Sequence, residues 1–342
     1  MKLLIGGSPC THWSIAQTKN RETEASGIGW ELFLNYRIAR DKYQPDFFLY
    51  ENNKSMAPAI KAQITAELGV EPALINSALV SAQNRQRLYW AGKRNQDGTY
   101  SQVAVEQPVD RGILLRDILE SGVCWREKGY ALTASNHSAT AEDMIARRQR
   151  NGAAEPIRVG TIENDAKNQA FDSQQYRVYS PDGKGQFVIK AAGGKEIPVY
   201  EVRGGRITIK GKEYPIKLAD GFYIIRKLTV TECKRLQAVP DTYAFPVSDT
   251  QAYKMLGNGW TVDVIAHIMS HFTGLTEEPV EVLSMYDGMS CGHIALDKLG
   301  AEITAYYATE IDKYAIQTTQ HNYPETVQLG DAFQVRDEEW SL

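Results

Sequence analysis

Hydrophobic residues near the start of the chain fall into short clusters, and longer amphipathic stretches separate them. The clusters Leu3–Ile5, Asp46–Tyr50 and Ala73–Val80 have the length and apolar content of buried strands. Helical spacing of apolar residues is found between them, at Trp30–Ala39 and Ala57–Leu68. Short apolar strands that alternate with helices are typical of a parallel, doubly wound sheet. This part of the chain is therefore predicted to be an α/β domain.

The same alternation returns near the other end of the chain. Val280–Tyr286, Ile303–Ala308 and Thr326–Leu329 are predicted strands, and a helix follows each of the first two. We therefore expect both ends of the chain to contribute to a doubly wound, mostly parallel sheet.

From about Gly129 to Phe222 the pattern changes. Glycine, proline and basic residues become more frequent, and apolar residues alternate with polar ones in Arg206–Tyr214, which indicates β-hairpins. We predict a smaller, strand-rich domain at residues 129–222. Residues 1–128 and 223–342 are predicted to form the two halves of the larger domain, and helices begin the second half.

The composition is that of a globular protein, with 43% hydrophobic and 23% charged residues. No apolar stretch approaches the length that crosses a membrane, and the first residues lack the features of a signal peptide. We therefore expect an intracellular, cytoplasmic protein with no membrane partner. The cysteines at 10, 124, 233 and 291 are widely spaced, which predicts neither a zinc site nor a disulfide framework. No metal ion is expected.

Charge is unevenly distributed along the chain. The formal net charge is −4, yet residues 147–227 contain 16 Lys and Arg against 9 Asp and Glu, so the remaining residues carry −11. A basic segment in an acidic protein can hold contacts to a polyanion such as a nucleic acid. A solvated, lysine-rich loop region is the other interpretation, and charge alone does not separate the two.

A glycine-rich turn follows the predicted strand Val280–Tyr286 and precedes a helix. This arrangement binds nucleotides, because glycines let a ligand approach the backbone and a helix N-terminus offers free N–H groups. The next strand ends at Glu310, 22 residues after Gly288, which suits a carboxylate that accepts hydrogen bonds from ribose hydroxyls. Asp331 ends the third strand and would suit the amino group of a purine. Solvation of strand ends is the alternative interpretation of both carboxylates.

The glycine spacing separates two kinds of cofactor. Gly288-x-x-x-Gly292 differs from the G-x-G-x-x-G of dinucleotide-binding proteins, and no cradle for a pyrophosphate is visible. A mononucleoside cofactor such as S-adenosylmethionine therefore fits better than NAD, and a nicotinamide dehydrogenase is disfavoured.

Cys10 follows the first predicted strand in a tight turn at residues 6–9. Backbone N–H groups in such a turn favour a thiolate, although a small buried residue is the commoner role of a lone cysteine. Glu51 ends the next strand, so both side chains are expected at one crevice of the sheet. Arg85 and Arg87 lie two apart in an extended segment, which points both side chains the same way. They would bind a carbonyl or a phosphate, or pair with surface carboxylates.

Together these segments resemble successive motifs of the DNA cytosine-5 methyltransferases. The matching segments are Ser8-Pro9-Cys10, Glu51-Asn52, Gln83-x-Arg85-x-Arg87, residues 226–237, Leu256-Gly257-Asn258, Tyr286-Asp287-Gly288-x-x-x-Gly292, Glu310 and Gly330-Asp331. Residues 129–222 have no clear match and occupy the place of the family's variable target-recognition domain. The sequences of these motifs most resemble those of the animal de novo DNA methyltransferases, although Tyr286 replaces the usual Phe and Asn52-Asn53 replaces the usual Asn-Val.

The order of the motifs differs from the usual one. In the family the cofactor motifs come first, whereas here the catalytic motifs precede them. Joining Leu342 to Met1 would restore the common order, which predicts a circular permutation with neighbouring termini.

The resemblance implies the Rossmann-like fold of S-adenosylmethionine-dependent methyltransferases with a smaller, strand-rich target-recognition domain. It implies methyl transfer to carbon 5 of a cytosine that is flipped out of double-stranded DNA. Cys10 would add to carbon 6 as a thiolate, and Glu51 would supply a proton or hydrogen bond at ring nitrogen 3. Arg85 and Arg87 would hold the base carbonyl. The polar segment Thr11–Gly29 would be a loop that closes over the base.

The resemblance also places the cofactor. The residues that would line the S-adenosylmethionine site are Tyr286, Asp287, Gly288, Gly292, Glu310, Ile311, Asp331, Ala332, Asn258 and Trp260. A protein that modifies DNA in this way would be associated with the nucleoid.

Other functions stay open at this point. An RNA cytosine-5 methyltransferase would use the same motifs, although the basic segment favours duplex DNA, and a modified methyl group would be transferred by the same residues. A catalytically inactive DNA-binding relative would have no need of Cys10, Glu51 and Arg87 together. The sequence leaves undetermined the recognition sequence, a restriction endonuclease partner, a phage-encoded or solitary role, and a homo-oligomer.

Overall fold

The structure, a computed structural model, describes residues 1–14, 21–157, 178–179, 187–190 and 196–342. Only the backbone is described for Cys10 and for residues 178–179 and 187–190. Within these ranges, no helix is long and apolar enough to cross a membrane. The same ranges contain no group of three or more His, Cys, Asp or Glu residues that could hold a metal ion.

Helices and strands alternate at both ends of the chain. The α-helices are α1 (Gly27–Tyr43), α2 (Pro58–Leu68), α3 (Val230–Leu236), α4 (Asp249–Asn258), α5 (Val262–Met269), α6 (Cys291–Leu299) and α7 (Lys313–Asn322). The strands are β1 (Lys2–Gly6), β2 (Phe47–Asn53), β3 (Ala73–Asn76), β4 (Gln83–Asn84), β5 (Gln86–Arg94), β6 (Tyr100–Gln102), β7 (Gly129–Tyr130), β8 (Gly152–Ile157), β9 (Val178–Tyr179), β10 (Phe187–Lys190), β11 (Glu196–Arg203), β12 (Arg206–Ile209), β13 (Lys212–Pro215), β14 (Gly221–Lys227), β15 (Val280–Met285), β16 (Ile303–Thr309) and β17 (Val327–Gly330).

A largely parallel sheet in the order β17-β16-β15-β1-β2-β5-β3 forms the centre of the larger domain, and β6 pairs with β5. The strands from β17 to β2 run parallel to one another, whereas β5 runs antiparallel to β2 and to β3. The predicted α/β class, with a doubly wound and mostly parallel sheet, is confirmed.

Strand β1 joins the two ends of the chain within this sheet. Leu4 in β1 pairs with Leu283 in β15 on one side and with Phe48 in β2 on the other. The carboxyl ends of parallel strands meet at one edge of a sheet, so the segments that follow β15, β1 and β2 lie side by side. This edge carries the candidate active site.

Alternate residues of β1 pack on opposite faces of the sheet. Leu3 and Ile5 belong to one apolar core, together with Ile265 of α5. Leu4 belongs to a second core, together with Phe33 of α1. All five side chains are fully buried. Because side chains alternate between the two faces of a strand, β1 packs with α5 on one face of the sheet and with α1 on the other. Helices therefore cover both faces, as in a doubly wound sheet.

A second, antiparallel sheet lies in the middle of the chain. Its order is β13-β12-β11-β10-β9, and β14 pairs with both β11 and β8. A separate apolar cluster belongs to this region and contains Trp125, Met144, Ile145, Ala154, Val202, Ile207, Ile209, Ile216 and Tyr223. The hairpin predicted at Arg206–Tyr214 is formed by β12 and β13. The limits of this domain, residues 129–222, stay a prediction, and part of the basic segment at 147–227 lies outside the described residues.

One predicted strand is shorter than its apolar pattern suggests. We expected Ala73–Val80, but β3 ends at Asn76 and a 3-10 turn follows. The Asn76 side chain accepts hydrogen bonds from the N–H groups of Ala78 and Arg85, both at 3.1 Å. An asparagine that bonds nearby backbone in this way favours a turn, so the local polar contact overrides the apolar pattern.

Candidate active site

The turn that follows β15 bends sharply at the carboxyl edge of the sheet. Tyr286, Gly288 and Ser290 have positive φ values of 60°, 60° and 56°. A Cβ atom at Gly288 would meet no described atom within 4 Å, so the space beside the turn is open. At Gly292 a Cβ atom would lie 2.1 Å from Ile5 Cδ1. Gly292 is therefore needed for α6 to pack on β1, whereas Gly288 leaves room for a ligand.

Asp287 holds this turn from the inside. Its carboxylate accepts hydrogen bonds from Ser284 Oγ (2.6 Å), Tyr306 OH (2.8 Å) and Ser290 Oγ. Burial raises the pKa of Asp287 above its usual value, and the hydroxyl donors oppose that rise. These contacts tie Asp287 to the end of β15, to the turn and to the neighbouring strand β16.

Tyr286 fastens the turn to α1. Its hydroxyl donates a hydrogen bond to Leu32 O (2.6 Å) and accepts one from Asn35 Nδ2 (3.4 Å). Its backbone N–H donates to Thr309 Oγ1 (3.0 Å) at the end of β16. The aromatic side chain therefore fixes the position of the glycine turn between a helix and a strand.

Glu310 lies beside the same turn. Its Oε2 accepts a hydrogen bond from the N–H of Gly288 (2.8 Å). Its Oε1 accepts from the N–H groups of Ile311 and Asp312, both at 2.8 Å. Each carboxylate oxygen has two lone pairs, so Oε2 can accept a further donor, such as a ribose hydroxyl.

The neighbouring strand ends complete a surface that fits a nucleoside. Ile311 is 74% exposed, and Asp331 is exposed at the end of β17, where it caps the 3-10 helix Ala332–Arg336 through the N–H of Phe333 (3.0 Å). Ala332 is buried. Two carboxylates can accept hydrogen bonds from hydroxyl and amino groups, and an exposed apolar side chain gains by covering a purine ring. The residues present therefore fit S-adenosylmethionine.

Glu51 is the centre of a second polar group. The residue is 9% exposed, and its Oε1 lies 3.0 Å from Arg87 Nε. Its Oε2 accepts a hydrogen bond from Trp260 Nε1 (3.1 Å). The structure thus brings together two predicted catalytic residues, and Trp260, predicted to lie in the cofactor site, contacts one of them.

The backbone of Cys10 begins a short 3-10 helix, Cys10–His12, after the loop that follows β1. The side chain of this predicted nucleophile lies outside the described part of the structure. The loop is tied to β2, because Ser8 Oγ lies 2.6 Å from Tyr50 OH and Asn52 Nδ2 donates to Ser8 O (3.2 Å). The segment that carries Cys10 is therefore anchored on the strand that contains Glu51.

Arg85 and Arg87 have different partners. The guanidinium group of Arg85 donates hydrogen bonds to three backbone carbonyls, those of Leu132 (3.2 Å), Gly257 (3.3 Å) and Gly259 (2.9 Å). Two of these carbonyls flank Asn258, which is exposed, and the second immediately precedes Trp260. Arg85 thus fixes the turn from which Trp260 reaches Glu51.

The loop predicted to close over the base, Thr11–Gly29, is described except for residues 15–20. Trp13 is fully buried and donates from Nε1 to Glu22 Oε2 (2.9 Å). The other oxygen of Glu22 accepts a hydrogen bond from the N–H of Gly29 (3.1 Å). Glu22 therefore joins the described ends of this loop, and the closure itself stays a prediction.

Sequence patterns did not indicate two of these contacts. The Trp13–Glu22 pair spans the loop, and the Trp260–Glu51 pair joins positions 209 residues apart. A periodic pattern carries no information on contacts between distant segments. By contrast, Thr229-x-x-Glu232 forms a capping box at the start of α3, and its spacing is readable from the sequence.

The largely parallel sheet, the open glycine turn and the acidic strand ends define the class of S-adenosylmethionine-dependent methyltransferases. Residues 1–273 match the model of the C-5 cytosine-specific DNA methylase family, so the chain belongs to that family.

Several curated proteins are similar to this chain. The Type II methyltransferase M.HpaII of Haemophilus parainfluenzae is 27% identical over 275 residues, which cover 77% of this chain and 69% of that protein. The Type II methyltransferase M.FnuDI of Fusobacterium nucleatum is 28% identical over 280 residues, which cover 78% of this chain and 74% of that protein. Among solved structures, the Entamoeba histolytica methyltransferase EhMeth is 12% identical with a TM-score of 0.44, over 79% of this chain and 76% of that chain.

The activity of the protein follows from its membership of this family. The protein is a DNA cytosine-5 methyltransferase, and its methyl donor is S-adenosylmethionine. The predicted enzyme class and the predicted cofactor are confirmed.

Proposed function

We propose that the chain methylates cytosine in double-stranded DNA through a covalent bond between Cys10 Sγ and carbon 6 of the base. The observation that carries this proposal is the Glu51–Arg87 pair, with 3.0 Å between Oε1 and Nε; Glu51 lies on β2, to which the Cys10 loop is tied, and Arg87 lies on the neighbouring strand β5. A nucleophile, a proton donor and a cation at one strand edge are the groups that activation of carbon 5 requires.

Cys10 and Glu51 would act together on the ring. As Sγ bonds to carbon 6, the electrons of the 5,6 double bond move toward carbon 5 and the ring, and Glu51 supplies the proton at nitrogen 3. Carbon 5 becomes nucleophilic only through this step. After methyl transfer, which would leave the donor as a neutral thioether, carbon 5 releases its proton to solvent, the sulfur leaves as a thiolate and nitrogen 3 returns its proton to Glu51, which restores the aromatic base.

The cofactor supplies the methyl group on a sulfonium centre. Glu310 would accept hydrogen bonds from its ribose, Asp331 would accept from the purine amino group, and Ile311 would cover the purine ring. The open turn that receives the cofactor would be formed by Tyr286, Asp287 and Gly288. Gly292 would let α6 pack closely on β1. Ala332, which is buried, would hold the backbone next to Asp331 in place. Asn258 and Trp260 would border the site from the turn after α4.

Arg87 would hold the base carbonyl while its Nε contacts Glu51. Its Nη1 donates to Gln86 O (2.9 Å) and its side chain is 18% exposed, so the Nη2 N–H groups would be the ones to reach a base in the crevice. Arg85 would act with it from behind, because its contacts with the carbonyls of Gly257 and Gly259 support a role in fixing the turn that bears Trp260.

Replacing Glu310 by alanine is expected to weaken S-adenosylmethionine binding by about 10-fold or more, since a carboxylate that bonds a ligand hydroxyl contributes about 1.5–3 kcal/mol. Calorimetry with the purified protein measures the affinity. Glu302→Ala is the matched control, because Glu302 is exposed and lies before β16 rather than at its end. Equal affinities in the wild type and Glu310→Ala would contradict the ribose role.

We further propose that the motif order is a circular permutation of the family order. We also propose that the motif sequences most resemble those of the animal de novo DNA methyltransferases. The family model matches residues 1–273 and leaves the glycine turn, Glu310 and Asp331 outside, as a linear comparison of a permuted order would. The pairing of β1 with β15 also supports it, since the cofactor half joins the sheet beside the first strand.

The substrate and partners follow from the same comparison. The Type II names of M.HpaII and M.FnuDI support a role beside a restriction endonuclease of matching specificity. Duplex DNA and RNA of the same sequence, supplied separately with labelled S-adenosylmethionine, test the substrate. We expect label in the duplex DNA, and label in RNA alone would contradict the proposal.

A further inference from the structure

Both oxygens of the Glu51 carboxylate are engaged by fixed donors. Arg87 Nε lies 3.0 Å from Oε1, and Trp260 Nε1 donates to Oε2 at 3.1 Å. The Glu51 side chain is 11% exposed. A carboxylate held by one donor on each oxygen cannot rotate about its last bond without losing a hydrogen bond, so its plane is fixed.

Gly7 closes the remaining side of this carboxylate. A Cβ atom at Gly7 would lie 2.9 Å from Glu51 O, 3.1 Å from Glu51 Oε2 and 3.4 Å from Trp260 Nε1. The loop that leads to Cys10, the end of β2 and the indole of Trp260 therefore meet at one point. The carboxylate has no room to move toward that loop.

The backbone around Trp260 is itself held on both sides. Gly259 O accepts hydrogen bonds from Arg85 Nη2 (2.9 Å) and Gln237 Nε2 (3.2 Å). On the other side, Thr261 Oγ1 donates to Gln237 Oε1 (2.9 Å) and Thr261 is buried. The indole N–H is thus delivered to Glu51 from a rigid turn rather than from a free loop.

We propose that Trp260 is a positioning residue for Glu51: its indole N–H orients the carboxylate so that the remaining acceptor and proton positions point at ring nitrogen 3 of the flipped cytosine. This inference rests on the proposed function of Glu51. It gives Trp260 a part in the proton step in addition to its place at the border of the cofactor site.

The surroundings of Glu51 make a pH profile informative. The described titratable and charged groups around it are Arg87 and Tyr89 on β5, Tyr50 on β2, Cys291 on α6 and Arg85 before β5. Burial raises the pKa of Tyr50 and of Tyr89, and raises the pKa of Cys291 to about 12. These three groups stay neutral across the range in which the enzyme would be assayed.

The test is Trp260→Phe, which keeps an aromatic ring and removes the N–H. Single-turnover methyl transfer to duplex DNA is measured against pH with saturating S-adenosylmethionine. We expect the rate to fall about 10-fold, as loss of a hydrogen bond to a charged group predicts. The falling limb of the profile is expected to move to higher pH, because the charged form of Glu51 loses a donor.

Trp90→Phe is the matched control. Trp90 Nε1 donates to Thr65 Oγ1 at 3.0 Å, so the same chemical change is made in the core on one face of the sheet, whereas Glu51 pairs with Tyr89, which packs on the other face. This control is expected to lower stability and to leave the pH profile in place. Benzothienylalanine at position 260, which replaces the N–H by sulfur in a bicyclic side chain, gives the same test if Trp260→Phe folds poorly.

A double-mutant cycle with Glu51→Gln separates this inference from the proposed function. If Trp260 acts through Glu51, Trp260→Phe slows the wild type but has little further effect in Glu51→Gln. An equal slowing in both backgrounds, or a change confined to S-adenosylmethionine affinity, would overturn the positioning role. Wild-type activity in Glu51→Gln itself would instead overturn the proposed role of Glu51.

Discussion

Cys10→Ala is expected to lower methyl transfer to duplex DNA by about 10⁴-fold or more, because removal of a catalytic nucleophile leaves no alternative route to the covalent step. The affinity for S-adenosylmethionine is expected to stay close to that of the wild type. Cys10 follows β1, whereas the glycine turn and Glu310 follow β15 and β16. Single-turnover transfer of a labelled methyl group, with calorimetry of cofactor binding, measures both quantities.

Cys124→Ala is the control for the loss of a thiol. Cys124 is a free, half-buried cysteine, and burial raises the pKa of its thiol. It belongs neither to the glycine turn with Glu310 nor to the group formed by Glu51, Arg87 and Trp260. Its replacement is expected to leave methyl transfer unchanged. If Cys10→Ala instead transferred methyl groups at the wild-type rate, the nucleophile would have to be another residue.

The largest expected effect on stability is that of Arg226→Met. Glu232 is fully buried, and its carboxylate accepts hydrogen bonds from Arg226 Nη1 and Nη2, both at 2.8 Å. It also accepts from the N–H groups of Thr229 (2.8 Å) and Glu120 (2.9 Å). Removing the guanidinium leaves a buried charge without its cation, which costs about 3–5 kcal/mol. Chemical denaturation of both proteins at neutral pH measures this difference in the free energy of unfolding.

The pH dependence of this difference has a defined sign. Burial opposes ionisation of Glu232, but Arg226 and the backbone N–H groups hold its pKa below the usual value. The wild type therefore gains stability from this group above the unfolded-state pKa and loses it as the pH falls through the lower folded-state pKa. In Arg226→Met a proton relieves the buried charge, so the gap between the two proteins should narrow in acid.

Arg206→Met is the control for the loss of an ion pair. Arg206 Nε lies 2.8 Å from Glu213 Oε2, but the two side chains are 57% and 61% exposed. An exposed pair contributes about 0–1 kcal/mol, so this variant should unfold almost as the wild type does. A loss in Arg226→Met no larger than in Arg206→Met would contradict the role given to the Glu232 site.

The fold was largely predictable because its strands are short, apolar and separated by helices. Leu3–Ile5, Asp46–Tyr50 and Val280–Tyr286 correspond to β1, β2 and β15, which are neighbours in the sheet. The sequence did not indicate α4, because its apolar face is brief. The strand at Ala73 was predicted too long, since Asn76 forms side-chain contacts with the following backbone.

The positions of the site residues could be predicted from the sequence only where a residue lies at the end of a strand. Glu51 and Glu310 were expected at the carboxyl edge, and each lies there. The shared direction of Arg85 and Arg87 was argued from a strand period, but Arg85 falls between β4 and β5, which pair with β7 and β2 respectively. The period is interrupted there, so the two guanidinium groups reach different partners. The contact between Trp260 and Glu51 depends on tertiary packing across 209 positions, which no local pattern encodes.

The most direct test of covalent cytosine-5 methylation through Cys10 is bisulfite sequencing of duplex DNA that has been incubated with S-adenosylmethionine and either the wild type or Cys10→Ala. We predict that the wild type protects cytosines within one short recognition sequence from conversion and that Cys10→Ala protects none. Equal protection by the two proteins, or no protected cytosine with a wild type that binds S-adenosylmethionine, would contradict the account.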